Sequence, residues 1–200
     1  MSPLFRSGPK VGPRQRVDDF ARVLVRAGLI DDAGVLAEVA DLAATELGGD
    51  GSTVAAEAVR AARRDWRADE AGWPAVTDHD RLDEVFDELP SIGVVVLQAV
   101  DDHWAATTEL TRRDDAGEPP EGIVWFTPAD VWHAVDHGML EVNLWHGDSA
   151  NAAPGDVLLD DVLATFARHG LRAHFDEGRI EVAAHWQRRS PTRAPDVPPA

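Results

Sequence analysis

Helical periodicity dominates the first third of the chain. Apolar residues recur there every three or four positions, which is the spacing of one helical face. Gly28 and Gly48 follow the first two periodic stretches and suit a helix end, while Ser52 suits a helix start. The pattern therefore predicts three helices, over residues 17–27, 32–47 and 52–68.

Beyond Trp73-Pro74 the pattern changes to short apolar runs that alternate with helical stretches. The runs 94–97 and 123–126 are apolar at consecutive positions, which indicates strands covered on both faces. We expect the first of these strands to be central in its sheet. Residues 140–146 form a third predicted strand. Amphipathic periods between the strands predict four more helices, which begin near residues 77, 102, 128 and 156.

Two alternating stretches near the end of the chain predict a β-hairpin with one wet and one dry face. Residues 171–175 and 180–186 alternate apolar and polar side chains about a turn at Glu177-Gly178. A two-residue turn sets His174 opposite Glu181, which is a favourable cross-strand pair. The alternation therefore fixes the register of the hairpin as well as its existence.

Together these elements predict an α+β fold. A mixed sheet of about five strands, layered with helices and ending in the C-terminal β-hairpin, would occupy residues 77–187. A helical N-terminal segment, residues 17–76, precedes it. Pro, Gly and basic residues predict a disordered basic arm over residues 1–16, and a Pro-rich composition predicts a disordered tail over residues 188–200.

Charge is distributed unevenly along the chain. Between Val17 and Trp186 lie 35 of the 36 Asp and Glu but only 12 of the 19 Lys and Arg, so this body carries −23 and the two ends carry +6. Such a body repels nucleic acid and anionic membranes and favours a basic protein partner. The same acidity would also serve solubility alone, and the sequence leaves both interpretations open.

Several absences narrow the classes of function. The chain has no Cys, no apolar run near the ~20 residues that span a bilayer, and no secretory leader, which together predict a cytoplasmic protein without disulfides. Neither a phosphate-binding loop with its Lys nor a Gly-x-Ser-x-Gly elbow occurs. We therefore predict no catalytic residue.

One group of side chains has the residue types of a metal site. Asp130, His133 and His137 lie within about 60° of one another on a helical wheel, and His103 or His146 would complete the shell of Zn²⁺ or Mn²⁺. Apolar residues occupy the opposite arc of the same wheel, so the three side chains also fit a solvated polar face. We favour the solvated face, which needs no cofactor.

Two runs of histidine and aspartate have a structural explanation. Asp78-His79-Asp80 and Asp101-Asp102-His103 stand at predicted helix starts, where Asp101 or Asp102 would cap a helix and Asp78 or Asp80 would favour a helix dipole. His146 precedes a long Gly- and Ala-rich loop of the kind that often carries function. It equally fits a hydrogen-bonded histidine at the edge of the core, which is the interpretation that we favour.

The body contains one basic stripe, on the third predicted helix. It lies opposite the apolar face of that helix and consists of Arg60, Arg63, Arg64 and Arg67. Nucleic acid would meet net negative charge around this stripe, so we expect it to dock on an acidic surface of the same chain or of a second copy. Self-association through Arg60 and Arg64 is the resulting hypothesis.

The region 77–189 resembles an uncharacterised bacterial family, a domain of unknown function. The resemblance is carried by Asp80, Leu82, Phe86, Leu89, Gly93, Gly122, Asp130, Ala134, Gly138, Leu140, Arg179, Ile180, Val182 and the run Trp186-Gln187-Arg188-Arg189. It implies a fold and no activity. Other members often place Tyr, Cys or His around the second strand. This chain has Ile123-Val124-Trp125-Phe126-Thr127 there, without Tyr or Cys, so no site is carried over from them.

The sequence therefore favours a non-catalytic, acidic binding or regulatory module for a basic protein partner. Its charge and the lack of a nucleophile, phosphate loop or thiolate cluster are the reasons. A metal-dependent enzyme with a His/Asp site is the alternative, and metal content would distinguish the two.

Overall fold

The computed structural model describes residues 11–190. The chain divides into two compact units, one ending at Ala68 and the other beginning at Asp69. The sequence pattern placed this boundary eight residues later, after Val76. Across residues 11–190 there are seven α-helices, a short 3₁₀ turn and one five-stranded sheet, which confirms the predicted α+β class.

The first unit consists of helices α1 (Pro13–Ala27), α2 (Asp32–Leu47) and α3 (Ser52–Glu70), the last of which crosses the boundary. The prediction that residues 11–16 belong to a disordered arm is wrong, because α1 begins at Pro13. Proline suits the first helical position, where its missing N–H needs no partner and its φ is already helical. Residues 1–10 of the predicted arm lie outside the described residues.

Small side chains fill the core of the first unit. Among the described residues 11–68 the buried side chains are mostly Ala and Val, and Trp66, which is 6% exposed, is the one aromatic side chain buried there. The small residues allow close approach of the backbones. At Gly51, whose φ is +69°, a Cβ would lie 2.2 Å from the carbonyl oxygen of Ala40, so this position needs glycine for both conformation and space.

The second unit contains the sheet and four helices. In chain order its elements are α4 (Asp78–Glu88), a 3₁₀ turn (Leu89–Ile92), β1 (Val94–Leu97), α5 (His103–Asp115), β2 (Gly122–Trp125), α6 (Pro128–His137), β3 (Met139–His146), α7 (Val157–Arg168), β4 (Arg172–Asp176) and β5 (Arg179–Ala183). Local signals set several of the boundaries. Thr77 and Asp80 form a capping box at the start of α4, and Asp102 accepts a hydrogen bond of 2.8 Å from the N–H of Trp104 at the start of α5.

The strands lie in the order β1-β2-β3-β5-β4. The first two strands are parallel, and every other neighbouring pair is antiparallel. The C-terminal hairpin has the predicted register, with His174 opposite Glu181. The expectation that 94–97 is a central strand is wrong, because β1 is at one edge of the sheet. Its apolar run reflects the helices that cover both faces of the strand. Burial of the two faces does not show whether both edges of the strand are paired.

Helices cover the two faces of the sheet unequally. On one face Phe126 contacts Phe86 of α4, with ring centroids 5.5 Å apart, and Leu158 of α7 packs over Gly122. On the other face α5 packs through Ala106 and Leu110 against Ile123, Trp125 and their neighbours. The polar side chains of β4 and β5 on that second face remain exposed or half-buried, as the predicted wet face of the hairpin requires.

The described chain after β5 is held to the second unit. Arg189 donates a hydrogen bond of 2.7 Å to the carbonyl oxygen of Pro74, and the N–H of Ser190 donates to Glu70. The prediction of a disordered tail from residue 188 is therefore wrong for its first three residues, and residues 191–200 lie outside the described part. Among the helices of residues 11–190, none is long and apolar enough to cross a membrane.

Candidate functional site

Helix α6 presents the polar face that the sequence singled out. The carboxylate of Asp130 accepts hydrogen bonds from the backbone N–H of Thr127 at 2.7 Å and from its hydroxyl at 2.8 Å. In the capping box of α6, the Asp130 side chain at the third helical position bonds back to Thr127 at the N-cap. The Asp130 carboxylate is therefore already used to cap the helix. One turn later His133 and His137 lie edge to face with ring centroids 4.8 Å apart.

The other two histidines of the metal hypothesis have partners elsewhere. His103 lies beside Trp104, with centroids 4.7 Å apart, and near Trp145, while His146 bonds to Asp156. The structure thus brings His133 and His137 together and gives the remaining members separate partners. Within residues 11–190 no group of three or more His, Asp or Glu side chains is arranged to hold a metal ion.

A cavity of about 500 Å³ lies beside the loop that follows β3. His146 lines it, and its Nε2 is 2.9 Å from the Oδ2 of Asp156, which also accepts the N–H of Ala153 at 2.7 Å. These two bonds hold the pKa of Asp156 below its usual value, the imidazole having the larger effect. The pair therefore fastens the loop to the start of α7, and His146 is a hydrogen-bonded histidine at the core edge.

The same loop contains a serine, but its placement is structural. The N–H of Ser149 donates a 2.9 Å hydrogen bond to the carbonyl oxygen of His146, which closes a tight turn with a φ of +69° at Ser149. Gly147 is packed under the chain that precedes β2, since a Cβ there would lie 2.1 Å from the carbonyl oxygen of Pro120. The loop is thus bound to its neighbours at several points.

The basic stripe of α3 has mixed surroundings. Arg63 makes an ion pair of 2.6 Å with Asp32 of the same unit, which agrees with docking on an acidic group of the same chain. Arg60, Arg64 and Arg67 are exposed. They remain available for the second part of the hypothesis, self-association.

Sequence reasoning weighed Asp78-His79-Asp80 as a candidate site at a helix start, but it did not find the partners of two histidines in the second unit. His79 on α4 meets Asp83 at 3.2 Å and the edge of the Trp186 ring at a centroid distance of 4.6 Å, and burial lowers its pKa. His169 lies between Glu88 and Glu84, which raise its pKa. The only signal in the sequence is the four-residue spacing of His79 and Asp83, since the other partners are about 80 or more residues away.

Carboxylates are the most distinctive feature of the second unit. Between residues 69 and 190 there are 25 Asp and Glu but only 8 Arg, whereas residues 11–68 hold 10 acidic and 8 basic residues. Some carboxylates have structural roles; Arg112 and Arg113, for example, lower the pKa of Glu109 to about 2. Others are exposed, among them Asp87, Asp101, Asp114, Asp115, Glu118, Glu121, Asp160, Asp161 and Asp176.

These observations define an acidic α+β protein with a helical N-terminal unit of nearly balanced charge. The chain belongs to a family described as a domain of unknown function, DUF6891, whose family model matches residues 11–190. The resemblance expected from residues 77–189 is thereby confirmed, and the match also includes the N-terminal helices. Searches of curated proteins and of solved structures find no match.

Proposed function

We propose that the chain is a non-catalytic binding or regulatory module whose acidic second unit takes a basic protein partner. The excess of 25 carboxylates over 8 Arg between residues 69 and 190 carries the proposal. A surface with that charge attracts cationic segments over a distance of about one Debye length, roughly 8–10 Å at physiological salt, and speeds their association.

The positions of the titratable side chains support a binding function over a catalytic one. Side chains that would be general acids or bases are engaged in helix caps or ion pairs, as Asp130, Asp156 and His146 show. Exposed carboxylates such as Asp87, Asp160 and Asp161 are the groups that a cationic partner would meet.

Binding of a basic probe tests the proposal directly. The probe is a fluorescent twelve-residue peptide of alternating Arg and Val, and its control is the same peptide with Glu in place of Arg. We expect fluorescence anisotropy to show binding of the Arg peptide only, with an affinity that falls as salt increases. Equal binding of both peptides, or of neither, would contradict the proposal.

Charge variants provide the matched control. Neutralising Asp87, Asp101, Glu118, Glu121, Asp160 and Asp161 of the second unit to the corresponding amides should weaken binding at least about tenfold, since each exposed pair contributes about 0.2–1 kcal/mol. Neutralising Glu38, Asp41 and Asp65 of the first unit should leave it unchanged.

Metal content tests the competing enzyme hypothesis. Elemental analysis of the purified, untagged chain would reveal stoichiometric Zn or Mn if Asp130, His133 and His137 form a site with His103 or His146. We expect no stoichiometric metal. A metal that is bound by the natural chain and lost in His133→Ala would overturn the non-catalytic proposal.

A further inference from the structure

Strand β1 has one free edge. Among the described strands only β2 pairs with it, in parallel register. The carbonyl oxygens of Gly93 and Leu97 accept hydrogen bonds from the chain of β2, so odd-numbered residues direct their backbone groups inward. Alternation along a strand then directs the N–H and C=O of Val94 and Val96 away from β2, toward the edge of the sheet. Val94 is only 1% exposed, so Val96, which is half-buried, is the accessible position of this edge.

A groove of about 540 Å³ runs along this edge. Its floor is Val94, Val95 and Val96, and its walls come from opposite sides of the sheet. Phe86 and Pro90 line the side of α4, and Arg113, Glu118, Pro119 and Pro120 line the side of α5 and the following loop. The groove therefore combines a valine floor with walls of mixed polarity, and the outward-directed backbone groups of the floor are what an added strand requires.

The flank of α4 that carries Phe86 also carries two aspartates. At 100° per residue Asp83 and Asp87 lie about 60° and 100° from Phe86, which lines the groove. Asp83 pairs with His79 at 3.2 Å, whereas Asp87 is exposed and is the carboxylate of this flank that a cation would meet.

The other wall is acidic as well. Glu118 lines the groove, and the side chain of Glu121 lies over Gly93 at one end of it. The one cation of the lining, Arg113, is paired with Glu109 at 2.8 Å. The acidic rim of the groove therefore consists of Glu118 and Glu121, with Asp87 on the neighbouring flank of α4.

We infer that the free edge of β1 is the docking site for an extended basic segment of a partner protein, which adds to the sheet as a sixth strand. This inference rests on the proposed function and gives it a location. The backbone of the segment would pair with the accessible N–H and C=O of Val96, and its Arg or Lys side chains would reach the carboxylates of the rim.

Charge selects this occupant over a second copy of the chain. Two copies paired through β1 would bring Asp87, Glu118 and Glu121 of one acidic rim against the same residues of the other. Like charges placed together across an interface cost free energy, and they protect an exposed edge from pairing with itself.

Backbone hydrogen exchange of the full chain measures the predicted pairing. With a saturating amount of the Arg-Val peptide we expect the amide proton of Val96 to exchange more slowly. Those of β4, the strand at the opposite edge, should keep their rates. Protection of β4 instead of β1 would overturn the location.

Two substitutions at one position separate the backbone from the side chain. Val96→Pro removes the outward N–H and should weaken peptide binding about tenfold or more, whereas the β-branched Val96→Thr keeps the N–H and should bind normally. Far-ultraviolet circular dichroism checks that both variants fold. If Val96→Pro does not fold, the exchange rates of the natural chain decide the matter.

Dividing the six neutralising substitutions into two triple variants shows which carboxylates contribute to peptide binding. The rim variant, Asp87→Asn with Glu118→Gln and Glu121→Gln, should account for most of the lost affinity. The remote variant, Asp101→Asn with Asp160→Asn and Asp161→Asn, should cost little.

The outcomes for the site and for the function are distinct. Peptide binding that is salt-dependent but equally weakened by the rim and remote variants, with no protection of β1, would reject the edge and keep the acidic module. No binding of the Arg-Val peptide would reject both. A dimer in sedimentation that Val96→Pro abolishes would assign the edge to a second copy.

Discussion

The two units differ in both core and surface. The first holds 8 Arg against 10 acidic residues within 11–68, and its core consists mainly of Ala and Val. The second holds 8 Arg against 25 acidic residues within 69–190, and it buries Phe126, Phe166 and several Leu and Ile side chains. A larger apolar core offsets the self-repulsion that such a charge produces. The second unit can therefore maintain an acidic surface that the first does not have.

The largest effect on stability is expected when one large side chain is removed from the core of the second unit. Phe126→Ala should lower the free energy of unfolding by about 3–5 kcal/mol, because its ring is fully buried against Phe86 and Trp186. Val39→Ala in the first unit should cost only about 1–2 kcal/mol, the value of the methyl groups lost. Urea unfolding measures both. Trp104→Ala, at a side chain that is 63% exposed, is the control, and equal losses at all three positions would break the comparison.

The first unit depends on close backbone approach more than on side-chain volume. Gly51→Ala should cost about 3 kcal/mol or more, since it adds a clash with the carbonyl oxygen of Ala40 to the strain of a positive φ. Gly49 has a φ of +80° with nothing within 4 Å, so Gly49→Ala should cost only about 1 kcal/mol. Thermal unfolding of the two variants gives the difference. Similar melting temperatures would show that space at Gly51 is unimportant.

An ion-pair network makes the second unit sensitive to pH. His169 lies 2.6 Å from Glu88 and 3.0 Å from Glu84, and these carboxylates raise its pKa above 6.5. The stability that these ion pairs contribute is fully present below the pKa of His169 in the unfolded chain, about 6.5. It is lost as the pH rises through the higher pKa of His169 in the folded chain. His169→Gln should therefore be less stable than the natural chain near pH 6 and equal to it near pH 9.

Unfolding at the two pH values checks this. His174→Gln changes a side chain that is 69% exposed and should show little effect at either pH. A loss in His169→Gln that is the same at both pH values would assign the histidine to packing and not to charge.

The smallest expected effect on stability concerns the basic stripe of the first unit. Arg60→Glu with Arg64→Glu changes exposed side chains, so unfolding should shift by less than about 0.5 kcal/mol. If the stripe mediates self-association, sedimentation should shift toward the monomer. Arg60→Lys with Arg64→Lys keeps the charge and serves as the control. An unchanged sedimentation profile would remove the hypothesis.

Local physics explains which features were predictable. The cap at Thr77, the Pro128 start of α6 and the alternation of the hairpin depend on neighbours a few residues away, so the sequence pattern predicts them. The edge position of β1 depends on the order of the strands, and the apolar residues of β1 alone do not indicate that order. His169 and Glu88 are joined across about 80 residues, and no pattern within either segment indicates the contact.

The candidate site divides in the same way. The sequence placed Asp130, His133 and His137 on one helical face, and it also predicted from Thr127-Pro128 the helix start that engages the Asp130 carboxylate. The acidity of the second unit is readable from composition. The groove is not, because it needs α4, β1 and α5 together, with Phe86 on one side and Glu118 on the other.

The place of β5 in the sheet has a consequence for synthesis of the chain. Because β5 lies between β3 and β4, the last antiparallel neighbour of β3 is made 37 residues after it, counting from His146 to Ala183. At the ribosome's pace of about 5–20 residues per second, β3 waits roughly 2–7 s for that partner. The first unit joins helices that are adjacent along the chain, so it meets no comparable delay. Newly made chains thus carry an open apolar strand for seconds, which is long enough for a chaperone to bind it.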